Sequence, residues 1–219
     1  MALRLASRGG LHVVALCAGL SIAIAAPAAG QERPSPATRA SLDRLIDSAR
    51  VAGLPASLLV DKVAEGTLKG ADDERILRAV RTLARELGDA RDALGMSTDV
   101  AVLGAAASAL HAGVAASDLR RMGRSGGSQE PAVLASALVT LVDLVAKRVP
   151  VATAARSIED LLNRRAGERQ FAALRADVGQ DILAGRSPEQ ALLSRTTAQL
   201  RALDPAPLGG MPRRPPLDR

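Results

Sequence analysis

Asp72-Asp73-Glu74-Arg75-Ile76-Leu77-Arg78-Ala79-Val80-Arg81-Thr82-Leu83-Ala84-Arg85-Glu86-Leu87-Gly88 is the stretch whose reading decides the fold class. Ile76, Leu77, Val80, Leu83, Ala84 and Leu87 recur at spacings of three and four, so they line one side of a helix, while Arg78, Arg81 and Arg85 line the other. The acids at its front meet the positive end of the helix dipole, and Gly88 offers a cap at the far end. An isolated helix with so apolar a side is marginal in water, so the neighbouring segments must cover it.

Outward from this stretch the same period continues. Towards the amino end, Leu42, Leu45, Ile46 and Ala49 share a face that stops at Gly53. Pro55 sits in a first turn, where a missing amide proton costs nothing, and Leu59, Val60 and Val63 carry a short helix to Gly66. Towards the carboxyl end, Ser97 or Thr98 can cap a helix whose Val102, Leu103, Ala106 and Leu110 face inward until Gly113. Gly104 within it costs about 1 kcal/mol relative to Ala, which is tolerable where another helix crosses closely. A short arginine-bearing piece over 117–122 runs into Gly123 and a soft Gly126-Gly127 linker. Residues 131–146 contain a single charge, Asp143, so this helix has to be surrounded and belongs at the centre of the core.

Three more helices are predicted over 150–165, 168–184 and 187–203. Phe171, Leu174, Val178 and Ile182 set the face of the second. Ser187-Pro188-Glu189-Gln190 opens the third with a Ser cap, a Pro at the first helical position and a capping-box Gln. No strand period occurs, so the fold class is all-α with no β-sheet.

The helices also repeat. Gly53-Leu54-Pro55-Ala56-Ser57-Leu58-Leu59 matches Gly113-Val114-Ala115-Ala116-Ser117-Asp118-Leu119, and Ile76, Ala79, Thr82 and Leu83 then align with Leu134, Ala137, Thr140 and Leu141. Val149-Pro150 matches Leu54-Pro55, and Phe171, Val178 and Ile182 fall on Ile76, Leu83 and Leu87. Three degenerate helix-pair units emerge, over 53–95, 113–147 and 149–185, inside a helical domain of 38–203. Such pairs cannot bury their apolar sides alone. They stack either as a short α-solenoid-like array or as a compact bundle, and the extra helix between the first two units either extends the array or plugs its concave side.

The ends read differently. Arg4 and Arg8 precede an apolar run over 13–26 and the small residues Pro27-Ala28-Ala29-Gly30, which is the build of a secretory signal over 1–30, cleaved after Gly30. The run is shorter than the ~20 residues a membrane span needs, so no transmembrane segment is expected after cleavage. Residues 31–37 read as a flexible leader and 204–219, rich in Pro with Gly209-Gly210, as a disordered tail. Export to the periplasm or beyond follows as an expectation.

Composition excludes much chemistry. The only cysteine is Cys17, in the signal; there is no Trp or Tyr, and after residue 30 His111 and Phe171 are the sole members of their kinds. Thiolate nucleophiles and cysteine zinc sites are then excluded, and a histidine triad would rest on His111 alone. Without aromatic platforms for bases and with only a modest positive charge, nucleic acid is not a predicted partner. The formal charge of +6 falls to +4 once Arg4 and Arg8 leave, and Arg outnumbers Lys 26 to 3, a GC-rich codon bias that accounts for part of the high pI. No cofactor, metal or catalytic residue is assigned.

Candidate interaction residues come from the first unit. Lys62 and Glu65 stand one turn apart, Gly66 can take a left-handed cap, and Lys69 can face the carbonyls of a helix end. With Gly53-Leu54-Pro55 these residues form a G-L-P-x-x-x-L-x-x-K-x-x-E-G-x-x-K-G segment. It resembles one found in exported all-helical proteins of GC-rich bacteria to which no activity is attached, over residues 53–95. The other two units lack this Lys and Glu, which marks the first as specialised. Arg78, Arg81 and Arg85 add a basic stripe that Glu74 and Asp89 can neutralise. His111 is placed to cap a helix, and Asp143, if buried, requires an Arg or a hydrogen-bond donor, or else its pKa rises.

These features predict a non-enzymatic exported scaffold or interaction module facing an envelope protein or polymer. A periplasmic helical chaperone or stress sensor is one alternative; those proteins carry Leu-Thr-x-x-Gln, of which only Thr196-x-x-Gln199 is present. A hydrolase using paired carboxylates is the other.

Overall fold

The computed structural model describes residues 34–95, 97–126 and 130–204. The predicted signal, residues 31–33 of the leader, Gly127 and the tail from residue 205 lie outside these residues. Among the described residues there are nine helices and no strand: α1 (Pro36–Val51), α2 (Ala56–Leu68), α3 (Asp73–Ala93), α4 (Val100–His111), α5 (Ala116–Gly126), α6 (Pro131–Ala146), α7 (Val151–Asn163), α8 (Glu168–Leu183) and α9 (Pro188–Leu203). No described helix is long and apolar enough to cross a membrane.

The helices form two layers. In one, α1 packs on α3, α3 on α5, α5 on α7 and α7 on α9; in the other, α4 packs on α6 and α6 on α8. Crossings such as α2 on α3, α3 on α4, α6 on α7 and α8 on α9 join the layers. The main packing partners of α1 are α2 and α3, and those of α9 are α7 and α8, so the arrangement does not close on itself. It is an open array, and the extra helix α4 extends it by taking a place in the even layer. This insertion changes the phase of the repeat. The first unit begins in the even layer with α2, whereas the second and third begin in the odd layer with α5 and α7.

What the three units share is their helix stop. Leu54 N–H donates to the Ala49 carbonyl across Gly53 (φ 70°), and Val114 N–H donates to Ala109 across Gly113 (φ 90°). These bonds satisfy carbonyls left over at a helix end and turn the next apolar residue inward. Val149 makes the same bond to Leu144, and Ala166 to Leu161, but the left-handed residues there are Arg148 (φ 66°) and Arg165 (φ 57°). Val114, Val149 and Ala166 are all buried behind these turns.

Several glycines read as helix ends lie inside helices. α3 passes through Gly88 to Ala93 because Leu87, Ala90 and Ala93 continue its buried side. α2 continues past Gly66 to Leu68, with the left-handed turn at Gly70. α5 runs through Gly123 to Gly126, and both are crossing points: an added Cβ would meet Leu94 at 3.1 Å in the first case and Leu134 at 3.2 Å in the second. The amino ends shift too. Asp99, not Ser97 or Thr98, caps α4 by accepting from Val102 N–H at 2.8 Å. α1 begins at Pro36, inside the stretch read as leader, because Ser35 accepts from Thr38 N–H and Pro36 suits the first turn. Ser35 N–H in turn donates to Asp73 at 3.1 Å, tying α1 to α3.

As predicted, α6 lies at the centre of the array, against α4, α5, α7 and α8. Leu138, Leu141 and Leu144 are fully buried, although Val139 remains exposed. Asp143 is half-buried and pairs with Lys147 one turn on, so its cationic partner comes from its own helix end. Polar ties fix the other layer contacts. Arg121 spans α5 and α7, donating to Glu159 at 2.9 Å and to Asp118 at 2.5 Å. Arg195 of α9 grips Asp181 of α8 in a two-pronged pair, both bonds at 2.7 Å.

Candidate functional site

The even layer is interrupted between its first two members. α4, α6 and α8 pack side by side, but α2 leans on α3 instead. The sequence causes this at two glycines. Gly66 of α2 meets Ile76 of α3 so closely that an added Cβ would fall 2.8 Å from Cγ1, which pins α2 down on α3. Gly104 of α4 receives Leu58 of α2, whose Cδ1 lies 3.2 Å from where a Cβ would stand. Only that side chain reaches Gly104: α2 and α4 do not pack on each other, so the close helix crossing expected at this glycine is not made.

The two helices are otherwise separated by a groove of about 910 Å³. Its floor is the face of α3 carrying Ile76, Ala79, Thr82 and Leu83. Lys62, Glu65 and Lys69 form one wall from α2, and Ser108 and His111 form the other from α4. Arg75 and Arg78 stand at the α3 end, Glu86 lies near His111, and Val142 of α6 closes the far side.

The polar groups of the walls are organised. Glu65 accepts from Lys62 Nζ at 2.9 Å and also from Lys69. The Lys69 and Lys62 ammonium groups hold its carboxyl down at about 2, below the ordinary value of 4.5, so Glu65 stays ionised at neutral pH and has no proton to donate. Across the groove, His111 Nδ1 lies 2.9 Å from Glu86 Oε1, linking α4 to α3. The groove therefore carries four permanent cations, Lys62, Lys69, Arg75 and Arg78, against two carboxylates, Glu65 and Glu86.

A titration tests the α2 wall. The folded value of Glu65 lies below the unfolded one, so its pairing contributes above pH 4.5 and is lost as the pH falls towards 2. The side-chain carboxyl carbon, followed by NMR, should titrate near 2 in the native chain. Replacing both lysines with Met should return it towards 4.5; a native midpoint near 4.5 would mean that the triad does not form.

The structure thus brings Lys62, Glu65, Lys69 and Arg78 of the predicted set to one groove. It does not bring Arg81 and Arg85 there. These line, with Arg78, a second hollow of about 660 Å³ between α1 and α3. Arg78 pairs with Glu74 as the spacing predicts, but Arg85 donates to Thr82 Oγ1 at 3.4 Å instead of meeting Asp89. No spacing in the sequence pairs Glu86 with His111, which lie 25 residues apart in the chain. The available signal was that Glu86 lies one turn beyond Thr82 and Leu83 on the same face of α3.

The remnant Thr196-x-x-Gln199 serves packing. Thr196 is buried, and Gln199 donates to the Gln170 carbonyl at 3.1 Å between α9 and α8. Among the described residues no three of His, Cys, Asp and Glu converge to hold a metal ion. No protein-family profile, curated protein or solved structure matches the chain.

Proposed function

We propose that this protein is an exported, non-enzymatic helical scaffold of the cell envelope that holds a partner in the groove between α2 and α4. The single observation that carries the reading is the interruption of the even layer: an apolar floor of Ala79 and Leu83 stays open to solvent where neighbouring helices cover each other. Contiguous apolar surface bordered by polar groups marks a place of contact. The specialised residues of the first unit, Lys62, Glu65 and Lys69, line that same opening. The signal-like first thirty residues and the lack of cysteine beyond them support export.

The test compares the native chain with an Ala79→Trp variant that fills the groove, each tagged and recovered from an envelope extract. A partner retained by the native chain and lost by the variant supports the reading; identical recoveries from two folded proteins contradict it. Intact mass of the exported protein, expected to begin at Gln31, checks the location.

A further inference from the structure

We infer that the groove takes an amphipathic helix of another protein, with carboxylates flanking its apolar stripe. This rests on the proposed function and names the partner's chemistry.

The surroundings of the groove specify a helix. It lies in the layer where α4, α6 and α8 already pack helix against helix. Packed helices lie with axes about 8–10 Å apart, and small residues at the contact permit the closer approaches. Ala79 on the floor and Ala112 at the end of α4 supply such residues, whereas Gly66 and Gly104 are already met by Ile76 and Leu58. Leu83 and Leu58 offer larger surfaces between which an incoming Leu or Ile can settle. The groove is open to solvent between its two walls. A lipid chain lying there would keep one side wet, whereas an amphipathic helix needs only one face covered and exposes the other to water.

Charge specifies the flanks. Glu65 engages both lysines of the α2 wall but cancels only one of their two charges. Arg75 at the end of the floor has no ion-pair partner among the described residues. Incoming carboxylates on the α2 side of the apolar stripe and at its Arg75 end would meet this excess. The chain itself offers no suitable occupant. Its terminal segment carries Arg213, Arg214 and Arg219 against one acid, Asp218, and its leading segment carries Arg4 and Arg8, so both have the sign of the rim.

Two synthetic helical peptides test this, sharing one apolar stripe of Leu at helical spacing. One is flanked by Glu and the other by Lys, each with an amino-terminal fluorophore read by anisotropy. The acidic peptide should bind the full chain about tenfold or more tightly than the basic one, with the preference shrinking as salt rises. Lys69→Glu with Arg75→Glu should remove the preference, Ala79→Trp should abolish binding, and Arg156→Glu, at an exposed position of α7, should change neither.

Equal binding of both peptides, binding indifferent to the Lys69 and Arg75 reversals, or no binding of either at millimolar concentration would overturn the inference. So would capture by phosphatidylcholine vesicles doped with phosphatidylglycerol that the same reversals abolish, since the site would then face a lipid surface. The charge reversals lie on exposed side chains, so they keep the test decisive if Ala79→Trp fails to fold. A groove-dependent envelope partner recovered while the acidic peptide fails would leave the proposed function standing and sink only this inference.

Discussion

Phe171→Ala should destabilise the protein by about 3–5 kcal/mol, the cost of losing a buried aromatic side chain and leaving its cavity. Phe171 is the only aromatic residue of the chain and is 0% exposed. It sits on α8, which packs on α6 and α9, and its carbonyl accepts from the buried Thr140 hydroxyl of α6 at 3.4 Å. The rest of the buried hydrophobic core is Leu, Ile, Val and Ala with a single Met, Met122, and it does not supply a ring's volume when that ring is removed. In a stacked array each helix depends chiefly on its neighbours. The loss should therefore concentrate in α6 to α9, while amide exchange in α1 to α3 changes much less. Urea unfolding followed by far-ultraviolet circular dichroism suits a chain without Trp or Tyr. A loss below about 1 kcal/mol, or one spread evenly over all helices, would contradict this packing.

Replacing Arg148 and Arg165 with Gly should act in the opposite direction. Both residues hold left-handed backbone, at φ 66° and 57°, in turns that Gly53 and Gly113 make elsewhere in the same array. An L side chain there costs about 1–2 kcal/mol, and glycine removes that cost while losing part of the gain to its greater freedom in the unfolded chain. Each substitution should stabilise by about 0.5–1 kcal/mol, and the two should add because they lie in different turns. Both side chains are exposed, so no core contact is lost. The thermal midpoint of the double variant should rise by several degrees. An unchanged or lower midpoint would show that the arginine side chains contribute something the backbone does not reveal.

These two turns also explain what sequence could and could not convey. The repeated Gly-Leu-Pro, Gly-Val-Ala and Arg-Val-Pro pieces are visible because each is a helix stop followed by an inward apolar residue, and that chemistry is local. The all-α class and the central place of α6 were legible for the same reason: the period of Ile76, Val80 and Leu87, or the nearly uncharged run of α6, states which sides must be covered. The layer that each helix joins was not legible. It depends on α4 as an inserted member, and no local spacing distinguishes a helix that extends the array from one that fills it. Glycine was the other ambiguity. Gly66, Gly123 and Gly126 resemble stops in sequence, yet they serve as close crossings, and only the partner helix tells the two uses apart.

The candidate site was half legible. Lys62, Glu65 and Lys69 share one side of α2, which spacing alone reveals, and their absence from the other units pointed to the first. The opposite wall belongs to α4, and the pairing of His111 with Glu86 follows from how α4 crosses α3. The arginine stripe illustrates the limit of helical spacing. Arg78 and Arg85 are two turns apart, but α1 and α2 flank α3 differently along its length, so one faces the groove and the other does not.

The central claim is that the α3 face between α2 and α4 is open to solvent in the folded protein, and native-state thiol labelling tests it most directly. In a Cys17→Ser background, single cysteines at Ala79, Thr82 and Leu87 would each be exposed to a maleimide probe under folding conditions. The account predicts rapid labelling at 79 and 82. It also predicts labelling about a thousandfold slower at 87, where the side chain is wholly buried on the same helix and reacts only after unfolding. Protection of positions 79 and 82 comparable to that of 87 would mean that the groove is closed, and the proposed binding face with it.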